Sequence, residues 1–214
     1  MLFSEESGNV DDDAPSVVSG LLREADARIL EYLLRRRGAE KGCVSSDFAL
    51  VNAALQRIVA KDLASGTLFC EWGSGFGVVT LLASLHGFDA HGIEIQPDLV
   101  EFAEQLAEEF ACDVRFVQGT YVPPDGEKLA ATPENPWFDS GTSSAYQELE
   151  IDADQFDVIF AYPWPGGESL LTALFMQCAG EGAILLTYDE ANGVLVQRKT
   201  ASLDVLELID LRAN

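Results

Sequence analysis

From Thr67 onward, short apolar runs alternate with stretches of helical periodicity, and that alternation leaves the chain very few folds to choose from. Thr67–Glu71, Asp89–Glu94, Asp113–Val117, Phe156–Ala161 and Ala183–Thr187 read as strands. Between them Val78–His86, Pro97–Phe110 and Leu170–Ala179 read as helices, the second opening on a proline. Strands that alternate with helices require a parallel sheet whose crossovers cover both faces. Val194–Arg198 and Val205–Leu211 follow too closely for a helical crossover, so an antiparallel pair at the sheet edge is expected. The expected class is therefore α/β: a doubly wound, mostly parallel seven-stranded sheet with helices on both faces and an antiparallel C-terminal strand pair.

The remainder of the chain divides around this pattern. Residues 1–14, which include Asp11-Asp12-Asp13, read as a disordered acidic tail. Residues 15–66 read as N-terminal helices. The first spans Pro15–Arg37 before Gly38; the second spans Asp47–Ala64, with Ser45, Ser46 or Asp47 as its cap. Residues 67–214 form the sheet domain, and the whole is one domain. Its one irregular stretch is a loop insertion at about 123–155, rich in Pro, Gly, Ser and Thr. It leaves from the carboxyl end of the third strand, where open α/β sheets bind ligands. Trp137, Phe138 and Tyr146 give it apolar anchors. Two readings are open: a lid over the substrate, or a solvated insertion packed on the sheet rim.

Charge restricts the partners. Thirteen basic against 36 acidic residues give a net charge of −23, a field that repels phosphate backbones. The basic cluster Arg35-Arg36-Arg37 suits a helix C-terminus. Nucleic acid is therefore not expected as a partner, whereas small molecules and cationic groups are. The four cysteines show no C-x-x-C pair and the histidines are only two, His86 and His91, so no metal is expected. No leader pattern and no apolar run of 18 residues appears, which makes the cytoplasm the expected location and a membrane an unexpected partner.

The strongest chemical signal is Leu68-Phe-Cys-Glu-Trp-Gly-Ser-Gly-Phe-Gly77, an apolar strand that runs through a glycine turn directly into an apolar helix. The glycines let a ligand lie against bare main chain, and the helix start supplies free N–H groups. The spacing is G-x-G-x-G rather than the G-x-G-x-x-G that suits a pyrophosphate, and Glu71 closes the strand. A carboxylate there repels a phosphate and attracts an ammonium group. Glu94, 23 residues further on, ends the second strand, where an acid can accept hydrogen bonds from both ribose hydroxyls.

With these two motifs the chain, over roughly Ser46 to Arg198, resembles the class I S-adenosylmethionine-dependent methyltransferase family, whose domain is Rossmann-like. The resemblance implies S-adenosyl-L-methionine as cofactor, held by Glu71, Gly73, Ser74, Gly75, Gly77, Glu94, Ile95, Gly119, Thr120 and Ala161. Two departures stand out. Where the family often places an acid after the third strand, to meet the adenine amino group, this chain has Thr120, with Gln118 nearby. Where many amine methyltransferases read Asn/Asp-Pro-Pro-aromatic after the fourth strand, this chain reads Ala161-Tyr-Pro-Trp-Pro165, so the hallmark of base or glutamine methylation is missing.

The segment Tyr162–Glu168 still falls where the reactive methyl is expected. Tyr162 and Trp164 can border an amine by cation–π contact and Glu168 can attract its charge, or the aromatics can pack the rim while Glu168 caps the helix that follows. Tyr188 and Asp189 are further proton acceptors at the end of the fifth strand. Methyl transfer depends mainly on in-line positioning, so no general base is required. The expected function is methyl transfer to a small molecule or a protein side chain. The competing readings are a non-catalytic cofactor-binding paralogue and an NAD-dependent oxidoreductase.

Overall fold

Strand β1 (Leu68–Trp72) is buried along four of its five residues, and a strand apolar on both faces belongs at the centre of a sheet. The computed structural model, which describes residues 16–35, 46–123, 144–163, 166–201 and 205–212, puts it there. β1 pairs in parallel with β2 (Asp89–Glu94) on one side and with β4 (Val158–Ala161) on the other. Beyond β2 lies β3 (Val114–Gln118), and beyond β4 lies β5 (Ile184–Asp189), both parallel to their neighbours. β6 (Gly193–Lys199) and β7 (Leu206–Leu208) then add antiparallel. The order β3-β2-β1-β4-β5-β6-β7 is a seven-stranded, doubly wound sheet with an antiparallel edge, as expected from the alternation.

Side chains alternate across this sheet and build two cores. Phe69, Val158, Phe160, Ile184 and Leu186 face the cluster formed with α1 (Val17–Arg35), α2 (Phe48–Ala60), α3 (Val78–Leu85) and α4 (Pro97–Glu109). Cys70, Trp72, Ile159 and Leu185 face the cluster formed with α5 (Ala145–Leu149) and α6 (Glu168–Cys178). The strand order reverses between β1 and β4, and a crevice at the carboxyl ends of the strands is the usual ligand position in such sheets.

Most boundaries fall within two residues of the sequence pattern, and the exceptions have local causes. The first helix begins at Val17 and is described to Arg35; residues 1–15 and 36–45 lie outside the described ones. The second starts where Asp47 accepts the Leu50 N–H at 3.1 Å, but it ends at Ala60, four residues before the expected Ala64. Asp62 adopts a left-handed conformation (φ 52°) and the Leu63 N–H returns to the Ile58 carbonyl at 3.0 Å, which closes the helix. The last strand is shorter than Val205–Leu211: its ladder with β6 covers Leu206, Glu207 and Leu208, and after it the Ile209 N–H donates to the Val196 carbonyl at 2.8 Å. Within the insertion, residues 124–143 lie outside the described ones, so Trp137 and Phe138, and with them the lid reading, do too. Its return contains α5, too short to leave a periodic signature.

One aromatic cluster ties the N-terminal helices to the glycine turn. Phe76, inside the turn, meets Tyr32 of α1 edge-on at 5.4 Å and Phe102 of α4 at 4.9 Å. It is 5% exposed. Phe76→Ala is expected to lower stability by about 3 kcal/mol, the usual cost of truncating a buried phenylalanine. The measurement is the urea midpoint at constant slope.

Candidate functional site

The turn after β1 is built from main chain. The N–H groups of Gly73 and Ser74 both donate to the Ile93 carbonyl of β2, at 2.9 and 2.8 Å, and the Gly77 N–H donates to the Ser74 carbonyl at 2.7 Å. These bonds press the turn against the neighbouring strand and bring the end of β2 beside it. Glu94 completes the link: its Oε2 accepts the Gly75 N–H at 2.8 Å and its Oε1 accepts the Gln96 N–H at 2.9 Å. The acid expected to meet a ribose is thus joined to the glycine turn and is 7% exposed.

Two of the glycines do different work. Gly77 has φ 74°, and a Cβ there would lie 2.5 Å from the Ala103 Cβ and 2.6 Å from Phe116. It lets α4 and β3 pack against the start of α3. Gly75 has φ 51°, and a Cβ there would meet nothing within 4 Å. Its open side is where a ligand can approach the backbone.

Glu71 sits on the α3 side of β1, 5% exposed. Gly77, the N-cap of α3, has no side chain to cap with. The Glu71 carboxyl does so from the strand: its Oε2 accepts the Thr80 N–H at 2.8 Å and the Thr80 hydroxyl at 2.6 Å. Burial pushes its pKa up from 4.5 to about 8, against the lowering effect of the two Thr80 hydrogen bonds and with a smaller rise from the charge of Glu94.

The remaining cofactor candidates border the same corner. The Ser74 hydroxyl is buried and has no hydrogen-bond partner among the described residues. Ile95, directly after the acid, is 36% exposed and presents an apolar side chain. The Gly119 N–H donates to the Glu94 carbonyl at 2.9 Å. The Thr120 hydroxyl accepts the Val122 N–H at 3.2 Å, and the Gln118 amide donates to the Ile95 carbonyl at 3.4 Å. Ala161 is buried at the end of β4, paired with Trp72 on one side and Thr187 on the other.

The rim beyond β4 is brought together in part. The Tyr162 hydroxyl donates to Glu190 Oε1 at 3.2 Å, and its ring meets Tyr188 edge-on at 5.1 Å. Burial, then the hydrogen bond to Glu190, push the Tyr162 phenol up to about 12, so it stays protonated at neutral pH. Glu168 lies in the first turn of α6 and turns back to accept the Gly166 N–H at 3.3 Å, away from this pair. Trp164 lies outside the described residues. Asp189 closes the β5–β6 hairpin by accepting the N–H groups of Ala191 and Asn192 and the Asn192 amide. His86 is hydrogen-bonded to Asn52 at 2.8 Å, and His91 lies 3.2 Å from Asp89 within the sheet.

The sequence reading passed over Trp72 and Tyr121, whose rings stack at 5.4 Å and 10°, although both adjoin the motifs. Among the described residues no three His, Cys, Asp or Glu side chains gather as a metal site, and no helix is long and apolar enough to cross a membrane.

No protein-family model and no curated protein matches the sequence. Solved structures do. An RNA methyltransferase from Salinibacter ruber, in complex with S-adenosyl-L-homocysteine, superposes with a TM-score of 0.51 at 21% identity, over 79% of this chain and 100% of that one. An O-methyltransferase from Bacillus cereus, in complex with SAH, gives 0.51 at 15% identity, over 83% and 68%. The chain has the class I S-adenosylmethionine-dependent methyltransferase fold. In that fold the glycine turn after β1 and the acid ending β2 are the elements just described, on adjacent strands.

Two outcomes follow from this geometry. Gly77→Ala is expected to cost about 3 kcal/mol or more, from backbone strain and overpacking together. Gly75→Ala is expected to cost only about 1 kcal/mol, from strain alone; chemical denaturation of both variants separates them. For Glu71, the unfolded chain gives up its proton near 4.5 while the folded chain keeps it to about 8. Folding therefore loses stability as pH rises across that window. Glu71→Gln should be close to the parent at pH 4 and gain on it towards pH 8.5, read as the difference in Tm across pH.

Proposed function

We propose that the protein is an S-adenosyl-L-methionine-dependent methyltransferase whose acceptor is a small molecule or a protein side chain. The observation that carries the reading is the Glu94 carboxylate held on the Gly75 N–H, an acid and an open glycine turn at one corner of the sheet. The corner suits an adenosyl amino acid: the Ser74 hydroxyl is buried with no partner among the described residues, and the open side of Gly75 leaves room against the main chain. The Glu94 carboxylate there disfavours a pyrophosphate, which argues against NAD.

In this reading Glu94 holds the ribose, and Ile95, Gly119 and Thr120 border the adenine. Gly73, Ser74, Gly75 and Gly77 line the backbone side, and Glu71 and Ala161 the amino-acid end. Bound there, the cofactor supplies an activated methyl group. The chain's own part is positioning. The carboxyl ends of β1 and β4 are paired through Trp72 and Ala161, so the rim that begins at Tyr162 adjoins the cofactor corner. Tyr162, Tyr188 and Glu190 offer two aromatic rings and a carboxylate, which suit an amine-bearing acceptor. The net charge of −23 argues against the RNA substrate named for the Salinibacter ruber protein.

Calorimetric titration with S-adenosylmethionine, S-adenosylhomocysteine and NAD in parallel tests the reading. Micromolar binding of the two adenosyl compounds and none of NAD is expected. Glu94→Ala should weaken that binding by about tenfold or more, because a charge-assisted contact and the support of Gly75 are lost together. Binding of NAD alone, or of nothing, would overturn the cofactor assignment.

A further inference from the structure

Beside the start of the glycine turn stands the side chain of Tyr121. After β3 the chain turns over the carboxyl ends of the strands, and Tyr121 is carried on that turn. Its backbone is fixed from both sides. The Thr120 carbonyl accepts the Ala145 N–H at 3.2 Å, the Thr120 hydroxyl accepts the Val122 N–H at 3.2 Å, and the Tyr146 hydroxyl donates to the Tyr121 carbonyl at 2.8 Å. Its ring is fixed as well: it stacks on the indole of Trp72, itself 2% exposed, with centroids 5.4 Å apart and planes within 10°.

The stack aims the ring at the candidate site. Tyr121 Cε1 lies 3.8 Å from where a Cβ on Gly73 would be, so the ring edge covers the start of the glycine turn. Trp72 is buried, whereas Tyr121 is only partly so. Burial, and secondarily the charge of Glu94, hold its phenol above the ordinary tyrosine range, so it is a neutral ring with an O–H at any physiological pH.

We propose that Tyr121 is a cofactor-binding residue: its ring, backed by Trp72 and beside Gly73 and Glu94, forms a wall against which the adenosyl part of the ligand packs. The inference rests on the cofactor reading above and deepens it. It also answers the first departure in the sequence. Thr120 offers no carboxylate to the adenosyl end, and its hydroxyl already accepts the Val122 N–H. An aromatic wall one residue later supplies contact area and polarisability in place of charge.

The probe is S-adenosylhomocysteine, titrated calorimetrically into the whole chain and into Tyr121→Leu and Tyr121→Phe. The parent is expected to bind in the micromolar range. Tyr121→Leu should bind about tenfold more weakly, in line with the usual contribution of aromatic stacking on a base. Tyr121→Phe, which keeps the ring, should stay within about threefold. A second measurement needs no packing change. In protein labelled with 3-fluorotyrosine, which has five tyrosines, the fluorine resonance assigned to position 121 through Tyr121→Phe should shift on adding S-adenosylhomocysteine. Parent protein that binds, with equal affinity in Tyr121→Leu or an unmoved Tyr121 resonance, would overturn this inference and leave the cofactor reading standing. A parent that binds no adenosyl compound would overturn both.

Discussion

The hydrogen bonds from Thr80 to the buried carboxyl of Glu71 join the end of the central strand to the first turn of the helix that follows. Both the sheet and the site depend on that join. A glycine at the N-cap of α3 leaves the helix without a cap of its own, yet the glycine is needed, because Ala103 and Phe116 press against it. Borrowing the cap from β1 resolves the conflict. It also fixes how far the chain travels between strand and helix, and so where the N–H groups of the turn point. The Ile93 carbonyl, which accepts from Gly73 and Ser74, fixes the same turn against β2.

Two acids stand within this small region, and their surroundings give them opposite characters. Glu71 is enclosed by the core and answered by one threonine, so it retains a proton well above the usual carboxylate range. Glu94 has backbone donors on both oxygens, from Gly75 and Gln96, and so serves the turn rather than the helix. One acid thus belongs to the core and the start of α3, the other to the glycine turn, although both are buried on neighbouring strands.

Much of the fold was legible in the sequence because its signals are local. Asp89–Glu94 is a run whose alternation and flanking residues mark both ends, and the observed strand has the same bounds. The G-x-G-x-G turn between an apolar strand and an apolar helix announced itself in ten residues. What escaped was non-local or too short. No spacing indicates that Thr80 answers Glu71, because the pairing exists only once strand, turn and helix have folded back. Nothing before Asp62 signals that it turns left-handed and stops α2 early. Five residues of α5 cannot show a helical period, and the stacking of Tyr121 on Trp72 joins a turn to a strand far from it in sequence. Of the rim, the pairing of Tyr162 with Tyr188 was hidden for the same reason, while Glu168, expected as a cap, is instead the first residue of its helix and turns back to the Gly166 N–H, with Gly167 at the N-cap.

The isolated parallel bridge between Thr120 and Ser144 has a wider meaning. The chain departs after residue 123 and comes back at Ser144 within one strand spacing of where it left. Arg115 of β3 then secures the return by donating to the carbonyls of Glu148 and Leu149. The two ends of the span 124–143 are thereby held beside each other at the sheet. The span's length and composition can drift, or be exchanged for another segment, without altering the register of any strand. The sheet can therefore keep its ligand corner constant whatever the sequence of that one span.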